Sequence, residues 1–303
     1  MTLPDIRRGT APANGLEFAY EDMGDPGNPP VLLIMGFSAQ LTLWPDEFCA
    51  ALVDGGYRVI RFDNRDIGLS SKLDGVRVDG ALWRRLAKFQ LGRASSVPYT
   101  LHDMAKDTVG LLDHLGIDSA HIVGASMGGM IAQIFAAEYA DRVRTLGIVF
   151  SSTNQPLLPP PAPAALKALL ASPGANPTRD QVIAQSVRAR KVIGSPRYPE
   201  SDDLVSADAA RDYDRSYYPA GVVRQFAAVS GTGSLLDYSR RIGSPTVVIH
   251  GKEDPLIRPA GGRAVAKAVK GSRLHMIDGM GHDLPAPLIP EITGELLKNF
   301  ALG

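Results

Sequence analysis

The sequence predicts an α/β protein: a mostly parallel sheet flanked by helices, with a helical insertion ahead of one late strand. Three observations predict it. First, the short runs Val31–Ile34, Arg58–Phe62, His121–Val123, Leu146–Phe150 and Thr246–Ile249 are β-rich and largely apolar on both faces, as strands covered on both sides must be. Second, helical patterns at Trp44–Asp54, Leu101–Leu115 and Gly129–Tyr139 alternate with these runs, and this βαβ rhythm closes through right-handed crossovers. Third, the rhythm stops between about Thr153 and Gly243, where Pro156, Pro159, Pro160, Pro161 and Pro163 open a stretch without β-rich runs. Within that stretch Thr178, followed three residues later by Gln181, reads as a capping box before Val182, Ile183 and Val187, and Gly221–Val229 reads as a further short helix. The expected division is a core of residues 1–152 and 244–303, and a helical cap of residues 153–243 that returns to the sheet at Pro245.

Composition narrows the function. A chain of 303 residues with 45% hydrophobic content fills a sizeable core, which excludes disorder and coiled coil. Thirty-two Lys and Arg balance 32 Asp and Glu, so no chain-wide field attracts nucleic acid. Cys49 is the only cysteine, which rules out an intramolecular disulfide, an iron–sulfur cluster and a thiolate zinc site built from this chain alone. Met1–Ala13 lacks the apolar run of a secretory signal, and no segment reaches the roughly 18 apolar residues of a spanning helix. A cytoplasmic protein is expected, with peripheral membrane contact left open; oligomeric state is not legible.

Gly124-Ala125-Ser126-Met127-Gly128 lies between the apolar run ending at Val123 and a helical pattern starting near Gly129. The five letters alone arise by chance roughly one time in five in a chain of this kind. Their strand–turn–helix setting is more specific: a sharp turn lifts Ser126 above the sheet, Gly124 and Gly128 relieve crowding, and the helix N-terminus supplies a positive dipole. A serine hydroxyl needs a base to become a nucleophile. Of six histidines, His282 sits in the loop Gly279-Met280-Gly281-His282-Asp283 after the run Leu274–Ile277 and can project from a strand end. His102 and His114 fall in a helical pattern, His121 and His275 in strands, and His250 at a strand end without an obvious loop. The acid that orients the histidine should also follow a strand. Asp254 does so, fixed by Pro255, with Glu253 and Asp278 as rivals closer to regular structure. Ser126, Asp254 and His282 thus appear in the order serine, acid, histidine, each past a strand. Met127, directly after the serine, is one backbone donor for a developing oxyanion.

At this point the chain resembles the α/β-hydrolase superfamily over nearly its whole length. The segments Leu33-Ile34-Met35-Gly36-Phe37, Trp44-Pro45-Asp46-Glu47-Phe48, Arg61–Ser70 and Gly279–Pro285 resemble the aclacinomycin-methylesterase-like group. Leu158–Pro163 and Tyr213–Gly221 are similar to mycobacterial lipase/esterase G-type proteins. The resemblance implies an α/β-hydrolase fold and esterase activity that extends to phospholipids or thioesters. It also implies Phe37 as the second oxyanion donor, and Asp63–Asp66 as a structural loop beside the nucleophile. Met35 replaces the histidine found there in many relatives, which bears on support of the loop. A metal reading of Asp63-Asn64-Arg65-Asp66 is set aside, because two carboxylates around an arginine with no histidine are more simply a turn with internal charge pairing.

Ala81–Arg93 carries four cations and no acid. On a helix, Leu82, Trp83, Leu86 and Phe89 are expected on one face, as substrate-pocket candidates, with Arg84, Arg85 and Lys88 on another. That is the pattern of a lid or interfacial helix; the competing reading is a solvated face on a packed helix. The leading functional expectation is a serine hydrolase of carboxylic esters acting on a small ester or lipid-like substrate, with no metal or organic cofactor. A cofactor-free haloperoxidase on the same residues, and a catalytically silent binding module, are the alternatives.

Overall fold

The computed structural model describes residues 5–303 apart from 173 and 175, two positions that fall inside the expected cap. The elements run β1 (Ile6–Ala13), β2 (Leu16–Met23), β3 (Pro30–Ile34), α1 (Asp46–Asp54), β4 (Arg58–Phe62), α2 (Leu82–Gln90), α3 (Leu101–His114), β5 (Ala120–Ala125), α4 (Met127–Glu138) and β6 (Val143–Val149). Five helices follow: α5 (Pro163–Leu170), α6 (Arg179–Ile193), α7 (Asp202–Arg215), α8 (Pro219–Thr232) and α9 (Leu236–Arg241). The chain then completes its sheet with β7 (Thr246–Gly251), α10 (Ala260–Ala268), β8 (Arg273–Ile277) and α11 (Ile289–Phe300). The eight strands form one sheet in the order β1-β2-β4-β3-β5-β6-β7-β8. β1, β2 and β4 pair antiparallel, and the remaining pairs are parallel.

Because side chains alternate across a strand, the central runs feed two cores. Leu32, Ile34, Ile122 and Ile148 pack with Leu111, Ile131 and Val265 on one face. Val31, Leu33, Val123 and Ile249 pack with Phe48, Leu52, Ile292 and Leu296 on the other. The hairpin β1–β2 is an addition to the sequence reading. Its strands carry Arg7, Arg8, Glu17, Glu21 and Asp22, which hide the apolar alternation. Asn14 (φ 50°) and Gly15 (φ 77°), both left-handed, form its tight turn, and that Asn-Gly pair is the signal by which it is legible. Burial pushes the Cys49 thiol up to about 12 against the pull of Arg61, so it stays a protonated core group.

His121 is packed between Tyr57 and Phe300, with Nδ1 2.9 Å from Thr145 Oγ1. Burial, reinforced by Arg144, lowers its pKa to about 4. The unfolded chain therefore binds more protons between about pH 4 and pH 6.5, and folding stability rises with pH across that window. The contribution is complete above pH 6.5 and lost as pH falls through about 4. Discounted for solvent screening, it is about 2 kcal/mol. Denaturant titrations at pH 7 and pH 4 should show His121→Gln losing less stability on acidification than the parent; equal losses would contradict this.

Candidate active site

β5 ends at Ala125 and the chain reverses at Ser126, whose φ of 54° and ψ of −120° lie outside the comfortable regions for a residue with a side chain. The turn is held by Ser126 N–H donating to Val149 O at 3.0 Å and by Ser151 Oγ–H donating to Ser126 O at 2.6 Å. Glycine is required on both sides for steric reasons. A Cβ on Gly124 would strike the Gly128 carbonyl, and one on Gly128 would strike the Ile34 carbonyl. The turn thus lets α4 start against the end of β3, with Ser126 Oγ standing above the middle of the sheet.

His282, in the loop after β8, places Nε2 2.9 Å from Ser126 Oγ and Nδ1 2.7 Å from Asp254 Oδ2. Asp254 follows β7 and is buried, with Oδ1 accepting from the backbone N–H groups of Leu256 (2.8 Å) and Ile257 (2.9 Å). Burial by itself would raise its pKa. The charge of His282 and hydrogen bonds from His250 and His282 outweigh that and hold it down at about 2. The carboxylate is therefore ionised at any pH near neutrality. Glu253 instead accepts from Gly279 N–H, and Asp278 pairs with Lys252.

His250 is a functional neighbour that sequence reasoning passed over. Fully buried, it places Nε2 2.7 Å from Ile257 O and 3.4 Å from Asp254 Oδ2, backing the carboxylate from the sheet side. Only the Asp254–Pro255 turn, folding back over the strand end, brings the two together. The His282 loop is gripped by the end of α6 and the chain just after it: His282 N–H donates to Ile193 O at 2.7 Å, and Gly281 N–H donates to Ser195 Oγ at 2.9 Å. The His282 ring rests on Phe150, centroids 4.7 Å apart.

The loop after β3 brings Gly36 against Ser126, close enough that a Cβ there would touch the serine Cβ and crowd Ala125 O. Met127 opens α4, so its N–H has no acceptor within the helix. Phe37 lies on the loop beside Gly36, and its ring meets Phe226 of α8 edge-on at 6.2 Å. With methionine rather than histidine at position 35, support comes from two side chains. Asn64 Nδ2 donates to Met35 O at 2.9 Å, and Gln225 Oε1 accepts from Ser38 N–H at 2.9 Å. Ser38 is itself left-handed (φ 61°), so Gln225 restrains a strained residue, while its Nε2 donates to Arg65 O at 3.1 Å.

The expected internal charge pairing of Asp63–Asp66 is corrected here. Asp63 meets Arg215 at 2.7 Å, Arg65 forks onto Asp107 (2.5 and 2.6 Å), and Asp66 is forked by Arg224, both bonds 2.8 Å. A buried charge needs its full complement of hydrogen bonds, and the bidentate geometry of Arg on carboxylate is out of reach for immediate neighbours. Each charge therefore pairs with a distant helix.

A cavity of about 380 Å³ opens at Ser126 and is lined mainly by apolar side chains, among them Phe37, Leu82, Leu86, Phe89, Met130 and Leu158. Trp83 is corrected out of that wall: one residue past Leu82, it is turned about 100° around the helix and stands 66% exposed. Arg85, assigned to the outer face with Arg84 and Lys88, is buried instead, its Nε donating to Ser230 Oγ at 3.0 Å. At i+3 from Leu82 and i−4 from Phe89 it shares their side of α2.

A family model for the alpha/beta hydrolase fold matches residues 29–285. Rhodomycin D methylesterase DnrP of Streptomyces peucetius is 27% identical over 288 residues, covering 88% of each chain. The poly(3-hydroxyalkanoate) depolymerase of Ectopseudomonas oleovorans is 28% identical, covering 85% of this chain and 80% of its own. Among solved structures, the enol-lactonase of Burkholderia xenovorans LB400 superposes with a TM-score of 0.73 at 23% identity, covering 97% of this chain and all of its own, a likeness of fold. The family match spans most of the chain and takes in β3 to β8, the serine turn between β5 and α4 and the two loops that converge on it. The protein belongs to the alpha/beta hydrolase fold family and is an enzyme of its hydrolase type.

Proposed function

We propose that the protein hydrolyses carboxylic esters through an acyl-enzyme on Ser126. The observation that carries this reading is the unbroken hydrogen-bonded line from Asp254 through His282 to Ser126 Oγ, opening on an apolar cavity. In this scheme Ser126 Oγ attacks the ester carbonyl while His282 Nε2 takes its proton, and ionised Asp254 stabilises the imidazolium. The backbone N–H groups of Met127 and Phe37 receive the oxyanion, where fixed dipoles act without reorganising. His282 then protonates the departing alcohol and next deprotonates the water that releases the acid. The scheme needs neither metal nor organic cofactor.

Residues 1–152 and 244–303 serve as the catalytic core, and residues 153–243 as a cap whose proline-rich start forms the far wall of the cavity. The apolar wall favours an aliphatic or aromatic acyl group; phospholipid and thioester donors use the same chemistry. Two relatives support the ester reading, being by name a methylesterase and a poly(3-hydroxyalkanoate) depolymerase. The test is a series of p-nitrophenyl esters of increasing acyl length, with one lysophospholipid and one acyl thioester, alongside phosphonate labelling read by peptide mass. Turnover with an apolar acyl preference and label on Ser126 are expected. Folded protein that neither turns over an ester nor takes the label would overturn the proposal.

Gln225 enters this scheme as a positioning residue, since it holds the backbone next to Phe37. Gln225→Leu should lower kcat by about 10- to 100-fold, as for a displaced oxyanion donor, with KM for a short ester little changed. Affinity for a boronate transition-state analogue should fall in parallel. A rise in KM at constant kcat would assign Gln225 to substrate binding instead.

A further inference from the structure

The outward face of α2 has no role in the scheme above. Trp83 is 66% exposed and Leu91, at the end of the helix, 65%. Beside them project Arg84, whose guanidinium lies over the Trp83 ring at 5.2 Å, and Lys88. A third exposed apolar side chain adjoins this face. Leu157 is left-handed (φ 66°) and 94% exposed, although both its neighbours, Pro156 and Leu158, line the cavity. Gly92 packs so closely on the Pro156 ring that a Cβ there would collide with it, so Leu91 and Leu157 belong to one rim. The inward residues of the same helix, Leu82, Leu86 and Phe89, line the cavity. The segment is basic: from Gly80 to His102 the sequence has no acid, and Arg84, Lys88 and Arg93 are exposed while Arg85 is buried.

We propose that this rim docks the protein on anionic lipid surfaces, with Trp83, Leu91 and Leu157 entering the interface and Arg84, Lys88 and Arg93 meeting the headgroups. Exposed apolar side chains beside cations are what such an interface rewards, through buried apolar area and electrostatic attraction together. No helix among the described residues is long and apolar enough to cross a membrane, so the contact is peripheral. Docking would set the cavity mouth against the lipid. That acyl substrate passes from the surface into the cavity rests on the ester-hydrolase reading; the docking itself does not.

The chain contains its own probe. Of its two tryptophans, Trp44 is fully buried and Trp83 is exposed, so a change in emission on lipid addition reports Trp83. The experiment uses the 303-residue Ser126→Ala protein with vesicles of phosphatidylglycerol or of phosphatidylcholine, at low and high salt, with cosedimentation as a second readout. A blue shift with phosphatidylglycerol, weak with phosphatidylcholine and reduced by salt, is expected. Arg84→Glu combined with Lys88→Glu should weaken partitioning about tenfold or more, with circular dichroism confirming the fold. Absence of shift and of cosedimentation with phosphatidylglycerol overturns the proposal, as does undiminished binding of the charge-reversed variant. A shift that follows protein concentration without lipid, with a dimer in sedimentation velocity, assigns the rim to a second copy and overturns it too. Turnover of a soluble short-chain ester by the wild type, measured separately, reports the chemistry alone, so either reading can fail without the other.

Discussion

Ser126→Ala is expected to lower kcat on p-nitrophenyl esters by about 10⁴-fold or more, leaving the residual rate that oxyanion donors and binding sustain by themselves. KM should change little, because in the proposed scheme the serine hydroxyl belongs to the reacting centre rather than to the walls of the cavity. Stability changes little as well, since the substitution removes one partly exposed hydroxyl and its bond to His282, while Val149 O and Ser151 still hold the backbone turn. Steady-state kinetics and a thermal melt on the same preparation separate the two effects. A folded variant retaining about one per cent of the parental rate would remove Ser126 from the nucleophile role.

Gly128→Ala has the largest expected effect on folding. The added methyl would sit inside the contact distance of the Ile34 carbonyl and also crowd Met35 O, two backbone groups of a buried central strand and its loop. Backbone cannot step aside as a flexible side chain can, so α4 must move off β3. A loss of about 4 kcal/mol or more follows. Movement of α4 also displaces Met127 N–H from Ser126, so protein that does fold should have lost activity. Urea unfolding of Gly128→Ala beside Gly294→Ala, where a Cβ meets nothing within 4 Å, isolates the steric term. Equal stabilities would mean that the turn relaxes in a way the packing around Ile34 does not indicate.

The central strands were legible because burial on both faces leaves them almost wholly apolar, and the serine turn because only glycine fits around it. Ser126, Asp254 and His282 were legible for a related reason: each follows a strand, and strand ends converge at one edge of a parallel sheet. The β1–β2 hairpin was hidden by its charged residues. What the sequence could not disclose is pairing between distant segments. Arg224 finds Asp66 across 158 residues and Gln225 finds Ser38 across 187, and no local pattern encodes either. The placement of Trp83 failed on a single residue of helical phase, and that of Arg85 on the assumption that a cation faces water.

The chain between β6 and β7 divides by the way it is attached. Its later helices are tied down by polar groups: Arg215 to Asp63, Arg224 to Asp66, Gln225 to Ser38, and Gln40 Nε2 to the carbonyl oxygens of Asp212 and Ser216. The earlier stretch from Pro156 to Leu169 lines the cavity mostly with apolar side chains, and among the described residues one backbone bond, Ala162 N–H to Pro255 O, ties it to the loop after Asp254. The weakly tied stretch supplies one wall of the cavity, and the anchored helix α8 lends Phe226 and Val229 to another. If the cavity holds the acyl group as proposed, residues 156–169 are the part of its wall that can drift in sequence, or be exchanged by an engineer, without touching the ion pairs that anchor the later helices.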